Sequence, residues 1–487
     1  MLATRGPALG PQRLPWQIST QQSGTVAAPS TGAGGAVSGT PASGPAGIWI
    51  AYTNAWNDVN PTRVRIDNPA GISIATGFSI RRGRSYITDK MDSGTASVTF
   101  VDMHANLDPT NVASPFWPMN PNCPCGISIQ NPVTTNWVPL FTGLLQGIPQ
   151  QIAVDNAVSR GSVDMADIFS MLALMEVPAG LDVIYNSATG TVSKPANTTG
   201  NTTYQHATVQ DQIKALLADA GIPAALTNVY SGNVTTQQVT YAPGEKILSA
   251  IQDAADAEFS GVANLFVGKD GKINFRGRLA RFQPQNYGIN TWNVTDTAGA
   301  IGNPNRALLQ SINLDRDVTK IVNNALFTPQ GIADTAIHNQ LVVDTASVAR
   351  YGPRSLTGMD LINAGATTGV YFADPAGETK LFGTFYVTNQ ASPAARVSQA
   401  AFKWVDTNHP NAAYHWNFLC NVEIDDIVSI RTTHPGGGGF GGDTFFVEGI
   451  TYDAQLGPAN QWDLTLTLDL SPAAYYVPPP PTQWIPS

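Results

Sequence analysis

Short runs in which apolar and polar residues alternate recur along the chain, the pattern of strands that bury one face and expose the other. Ala96, Val98 and Phe100 alternate with Ser97, Thr99 and Val101, which predicts a strand over 96–101. Ile48–Tyr52, Thr62–Ile66, Gly126–Gln130 and Leu140–Gln146 read the same way. Between them, Asp108-Pro109, Ser114-Pro115 and Trp117-Pro118 force turns or extended connections, because each proline fixes its own backbone and restricts the residue before it. Strands this short and this punctuated predict a sandwich or barrel.

The period changes at Met165–Met175, where Ile168, Met171, Leu172 and Met175 fall at helical spacing behind Asp164 and Asp167. A helix there would end the first β domain. Val209–Ala220, stopped by Gly221, and Glu245–Phe259 are two further predicted helices. Asn264 to Phe275 alternates on both sides of Asp270-Gly271, a hairpin signal. Near the C-terminal end Val422–Ile430 alternates around Asp425-Asp426, read as a solvated turn or bulge, and Phe445–Tyr452 and Trp462–Leu470 are two more strands. Gly436–Gly439, continued by Phe440-Gly441-Gly442, is expected to be a flexible loop between strands.

A length of 487 residues points to two to four domains. Charged residues make up 13% of the chain, against about 25% in ordinary soluble domains, while Gly (45) and Pro (35) are frequent. That composition suits a β-rich protein covered by partners. A net charge of −9 without any long Lys/Arg run argues against a nucleic-acid face. The densest basic spot, Arg81-Arg82-Gly83-Arg84, reads as the end of a surface strand. Residues 1–46 are mostly Gly, Ala, Ser, Thr and Pro, so this arm is expected to be disordered alone and held by a neighbour. Three cysteines make no disulfide framework, the start lacks a signal-peptide core, and no apolar run reaches the roughly 18 residues of a membrane span. Folding in a reducing cytoplasm, without membrane insertion, is the expectation.

Candidate chemistry is sparse. The six histidines, His104, His206, His338, His409, His415 and His434, show no metal-ligand spacing, and His409 and His415 read as loop residues bonded to backbone. Cys123-Pro124-Cys125 is the sharpest candidate for a metal or redox site, but only Cys420 remains to join it, one short of four thiolates. A structural role or a reversible local disulfide fits better. No Gly-x-Ser-x-Gly is present, and Gly161-Ser162 precedes the predicted helix without a strand elbow. Asp425/Asp426 and Asp315/Asp317 have the spacing of turn carboxylates. Trp49, Trp56, Trp117, Trp137, Trp404, Trp416 and Trp462 are read as core or interface residues rather than a sugar platform. No catalytic, cofactor or metal residue is assigned.

Several motifs, taken in order, carry a family resemblance. Gly94-Thr95-Ala96-Ser97-Val98-Thr99, the turn Asp108-Pro109-Thr110-Asn111 with Ser114-Pro115, and Leu140-Phe141-Thr142-Gly143 resemble a segment of the minor tail proteins of long-tailed, non-contractile bacteriophages, especially those of actinobacterial hosts. The helix containing Leu248, Ile251 and Ala254, the hairpin ending Phe275-Arg276 and Arg278, and Ile312–Phe327, read as a strand pair, are similar to the tail-tip (baseplate) hub proteins. Asp344–Gly352 and the run Glu423-Ile424 with Asp426, Phe446-Val447-Glu448-Gly449-Ile450 and Trp462–Leu466 add to it.

The resemblance implies a mainly β fold with an α/β insert, in which two β-barrel or sandwich domains of tail-hub type flank α+β parts. The expected division is an arm at 1–46, a first barrel at 47–164, an insert at 165–300, an α+β domain at 301–415, strands completing a second barrel at 416–475 and a Pro-rich tail at 476–487. It further implies a non-enzymatic homotrimer at the tail tip of a virion, assembled in the host cytoplasm, that closes the tail tube and gates tape measure and DNA release. Partners would be a distal tail protein or tube ring, the tape measure protein, other minor tail proteins and receptor-binding fibres, with DNA in transient passage. The ending at Pro478–Pro481 and Ser487 would leave hydrolase and receptor-binding roles to other proteins. The alternatives are a distal tail ring protein, which would not need both insert and second barrel, and a secreted glycan binder or hydrolase, which would want a signal peptide and convergent carboxylates.

Overall fold

The computed structural model describes residues 46–476 apart from 52–53, 62, 68–72, 103–104, 109, 115, 118, 153–158, 187–188, 190, 206, 233, 235, 237, 260, 297–302, 316–317, 330–340, 361–374, 393–395, 434–438 and 457–461. The fold is mainly β with a mixed insert, as the sequence implies. Strand Asp92–Asp102 contains the alternating run: Ala96, Val98 and Phe100 are buried, Thr95 and Thr99 exposed. It lies between Ser73–Gly83 and Ser159–Ala166, and the sheet continues through Trp137–Gly147, Pro124–Gln130, Ala46–Ile50 and Val64–Arg65, every pair antiparallel. Ser159–Ala166 escaped the sequence reading, and of Ser73–Gly83 only the end at Arg81-Arg82-Gly83 was expected. Their outward positions are Thr, Ser, Arg and Gly, which blur the alternation.

A second sheet closes on itself. Thr291–Thr295 pairs parallel with Ile427–Thr433, which pairs antiparallel with Gly439–Leu456, then Trp462–Pro472, then Arg396–Lys403. The segment from 307 to 315 joins the two ends: Ala307–Leu308 pairs with Thr291–Thr295, and Ser311–Asp315 pairs with Arg396–Lys403. Leu309 N–H donates to Thr295 O at 2.8 Å and Gln310 N–H to Ala401 O at 2.9 Å, so the changeover leaves no gap. Among the described residues, the expected pairing within Ile312–Phe327 is not found. Asn324–Pro329 instead belongs to a separate small sheet with Val342–Val343 and Ser355–Asp360.

Gly439–Leu456 is the shared element of the two sheets. One of its edges pairs with Ile427–Thr433 as far as Phe446 and then, from Gly449 to Gln455, with Gly83–Gly77 of the first sheet. The sequence expectation of a flexible loop over Phe440-Gly441-Gly442 is corrected here. These residues are paired strand, and the positive φ of Gly442 (119°) lies beside the register shift at Ile430/Arg431. Gly436 to Gly438 lie outside the described residues.

The insert packs helices Val209–Asp219 and Ile247–Phe259 on two small sheets. Ile213, Leu216 and Leu217 of the first and Ile251, Ala254 and Ala255 of the second share one core. Asn264–Val267 and Ile273–Arg276 form the predicted hairpin, and Gly271 takes φ +82° at its turn. A Cβ there would stand 2.9 Å from Thr142 Cγ2, so the glycine lets the turn lie against the first sheet. The expected helix over Met165–Met175 is only the turn Phe169–Leu172. Met165 and Ala166 belong to a strand, and the buried Asp167 stops it by accepting from Gly94 N–H, Ser93 Oγ and Phe169 N–H. Asp344–Gly352 contains the short helix Thr345–Tyr351, capped by the Asp344 carboxylate. Helix Ala412–Asn421, which buries Trp416, Phe418, Leu419 and Cys420, was not expected.

Candidate functional site: a buried charge junction

The two sheets and the insert meet where the shared strand changes partners, and charges gather there in the core. Glu448 sits at the irregularity between Val447 and Gly449, fully buried. Its neighbours Phe445 and Val447 pack in the core of the sheets, whereas Phe446 packs in that of the insert. Gly83 lets the end of Ser73–Gly83 approach, since its φ is +87° and a Cβ would lie 2.3 Å from Glu448 O. The next residue then reaches the carboxylate: Arg84 Nε donates to Glu448 Oε2 at 2.8 Å. From the insert, Arg281 forms a fork, Nη1 to Oε1 at 2.6 Å and Nη2 to Oε2 at 3.0 Å.

The turn before Ile427–Thr433 supplies the second acidic group. Asp425 takes φ +76°, a conformation that Asp tolerates better than most residues. It accepts from Arg281 Nε at 2.8 Å, Asn264 Nδ2 at 2.7 Å and Arg276 Nη1 at 3.2 Å. Asp426 accepts from Trp292 Nε1 at 2.9 Å and from the Asn290 and Glu423 amides. Glu423 takes Arg82 Nη1 at 2.6 Å and the Lys269 amide at 2.9 Å. Deeper in the insert, Arg278 Nε lies 3.4 Å from Glu258. Arg84, Arg281, Asp425 and Glu448 tie together the first sheet, the insert and the second barrel.

Burial opposes the charged form of Glu448, but Arg281 and Arg84 outweigh it and hold the carboxyl down to about 2. Glu423 is likewise lowered against its burial, by Arg82 and Lys269. Asp426 has no guanidinium partner, and burial lifts it to about 6 despite its hydrogen bonds. A carboxyl near 6 could move a proton, yet this one is 1% exposed and enclosed by Trp292 and backbone amides. What the arrangement can do is hold three bodies in one register.

The fold is similar to those of solved tail proteins. No family model and no curated protein matches the sequence. Among solved structures, a tail protein from Neisseria meningitidis aligns over 90% of this chain and 100% of its own, at 10% identity and TM-score 0.49. A 43 kDa prophage tail protein from Shewanella oneidensis aligns over 88% and 99%, at 10% identity and TM-score 0.47. A prophage tail protein from Listeria monocytogenes aligns over 87% and 94%, at 9% identity and TM-score 0.42. At these scores the likenesses stand beside the geometry and carry none of its interpretation.

Two readings of the sequence are corrected by the junction. Asp425 and Asp426 are not a solvated turn but are 0% and 1% exposed, because guanidinium and indole donors replace water. Arg82 and Arg84 end a strand, as expected, but face inward rather than outward. Arg276, part of the hairpin motif, and Glu423, Asp426 and Glu448, part of the C-terminal motifs, converge here, whereas Arg278 pairs with Glu258 inside the insert. Arg281 and Arg84 were missed as site residues. The available signal was charge inside apolar runs, as in Leu279-Ala280-Arg281-Phe282 and Val447-Glu448-Gly449-Ile450.

The other candidates lie elsewhere. Cys123 and Cys125 are buried free thiols on and beside strand Pro124–Gln130, and burial raises Cys123 to about 11 and Cys125 well above the usual thiol range. Cys420 is buried on its helix and raised to about 12. Among the described residues no group of three His, Cys, Asp or Glu could hold a metal ion, and no helix is long and apolar enough to cross a membrane. His409 Nδ1 accepts from the Asn411 amide. His415 is helical rather than in a loop: its Nδ1 accepts from Leu308 N–H at 3.0 Å and its Nε2 lies 2.8 Å from Lys403 O. Gly161-Ser162 is within strand Ser159–Ala166, not before a helix. Asp315 ends strand Ser311–Asp315. Trp49 and Trp416 are buried, Trp56, Trp137 and Trp404 half-buried and Trp117 exposed. His104, His206, His338, His434, Asp317 and the Trp462 side chain lie outside the described residues.

Proposed function

We propose that the chain is a structural hub protein of a bacteriophage tail tip, without enzymatic activity. The observation that carries this reading is the convergence at one buried junction of motif residues distant in sequence: Arg276, Glu423, Asp426 and Glu448. A hub must transmit force between two barrels without letting them slide, and a fork such as Arg281 on Glu448 fixes direction as well as distance. In this reading the chain acts as a homotrimer, whose six barrels match a hexameric tail tube. It caps the tube, holds the tape measure protein and opens to pass DNA when fibres engage the host. The net charge of −9 supports a lumen that does not retain DNA. Immunogold labelling of intact virions with antibodies to the chain is expected at the tail tip. Labelling confined to the capsid would overturn the proposal, and a stable hexamer in solution would favour a distal ring over a hub.

A further inference from the structure

A cleft of about 460 Å³ opens where strand Trp137–Gly147, the hairpin turn after Asn264–Val267 and the end of helix Ala412–Asn421 meet. Its size is that of a small-ligand pocket, roughly 300–1,000 Å³. Trp137 and Phe266 supply apolar walls, and Lys269, Arg276, Asp270 and Glu423 the charges.

Arg276 and Lys269 bring unspent donors to this lining, which also holds the carboxylates of Asp270 and Glu423. A guanidinium has five N–H groups, and that of Arg276 spends one on Asp425 at 3.2 Å, while its Nε has no acceptor. Its Cζ stands 5.5 Å from the Phe266 ring centre. Lys269 Nζ spends two of its three protons, on Cys420 O at 2.9 Å and Asn421 Oδ1 at 3.3 Å. Glu423 already accepts from Arg82, the Ile424 amide and the Lys269 amide. An ionised carboxylate, which accepts only, suits such a lining.

We propose that this cleft binds the side-chain carboxylate of an acidic peptide segment of a partner protein. Arg276 and Lys269 take its oxygens, and Trp137 and Phe266 cover its aliphatic stem. Asp270 and Glu423, the like charges in the lining, limit the affinity. Because Arg276 also serves Asp425, an occupied cleft draws on the junction, which links partner docking to the seam between barrels. The site does not depend on the tail-tip assignment.

The test titrates the full chain with N-acetylglutamate N-methylamide, its glutamine counterpart and glucuronate, followed by calorimetry and ligand-observed NMR. The glutamate probe is expected to bind at least tenfold more tightly than the glutamine probe. Asp270→Asn should tighten it roughly threefold by removing one like charge a few ångströms away in a water-like medium, and Asn-Gly keeps the hairpin turn. Trp137→Ala should weaken it at least tenfold. Equal binding of the glutamate and glutamine probes, preference for glucuronate, or an unchanged affinity in Asp270→Asn would each overturn the proposal. Should Trp137→Ala fail to fold, Asp270→Asn decides alone.

Discussion

Replacing Glu448 by Gln keeps the shape of the side chain and removes its charge, which isolates the electrostatic part of the junction. Glu448 is held at about 2 in the fold against 4.5 when free. Such a displacement is worth roughly 3 kcal/mol of stability at neutral pH. Breaking a buried ion pair from one side costs about 3–5 kcal/mol, because the partner charge stays buried. At about 2 °C per kcal/mol for a chain of this size, Glu448→Gln should lower the melting midpoint by roughly 5–10 °C at pH 7. The sign of the pH dependence follows from the lowered folded value. The contribution is complete above about pH 4.5 and is lost as the pH falls towards 2. Melting curves of both proteins at pH 7, 5, 4 and 3 should therefore converge below pH 4.5. A gap that stays constant across that series, or no gap at pH 7, would refute charge as what holds the junction.

Gly83→Ala should destabilise the fold by about 2 kcal/mol or more, since it combines a positive φ of 87° with a Cβ 2.3 Å from Glu448 O; an unchanged melting midpoint would contradict this. Burial lowers His415 from 6.5 to about 4, so the fold should lose on the order of 3 kcal/mol as the pH drops from 6.5 to 4, when the unfolded chain protonates first. His415→Gln should flatten that part of the stability profile, measured by denaturant unfolding. Arg281→Met and Glu448→Leu should each cost several kcal/mol, yet the double variant should cost far less than their sum, and additive losses would show that the pair is not coupled. Gly271→Ala should destabilise the hairpin turn against Thr142, whereas Asp270→Asn should leave the melting midpoint within about a degree.

Much of the architecture was legible because its strands obey a simple local rule. Asp92–Asp102 and the Leu464–Leu468 stretch of strand Trp462–Pro472 bury alternate residues, and Asp270-Gly271 turns a hairpin, with no need of distant partners. Where the reading failed, the deciding contact was distant. Met165 to Met175 has helical spacing, but pairing of Ser159–Ala166 with Asp92–Asp102 and the grip of Gly94 on Asp167 end the strand late and leave one turn of helix. Asp425 and Asp426 have the composition of a solvated turn, and only guanidinium groups 144 and 149 residues away from Asp425, and an indole 134 residues away from Asp426, make them core.

An apolar seam of equal volume would cost less desolvation, since a buried ion pair is often no more stable than the residues that could replace it. Apolar contacts, however, are non-directional and tolerate sliding by a fraction of a residue. Here a strand must change partners within three residues, from Ile427–Thr433 at Phe446 to Ser73–Gly83 at Gly449. A slip of one residue would turn every side chain of the shared strand to its opposite face. Arg281 spans Glu448 and Asp425 at once, so a slip would leave a buried carboxylate unpaired. The junction thus stabilises one register by making its neighbours costly, which is what a rigid coupling between two barrels requires.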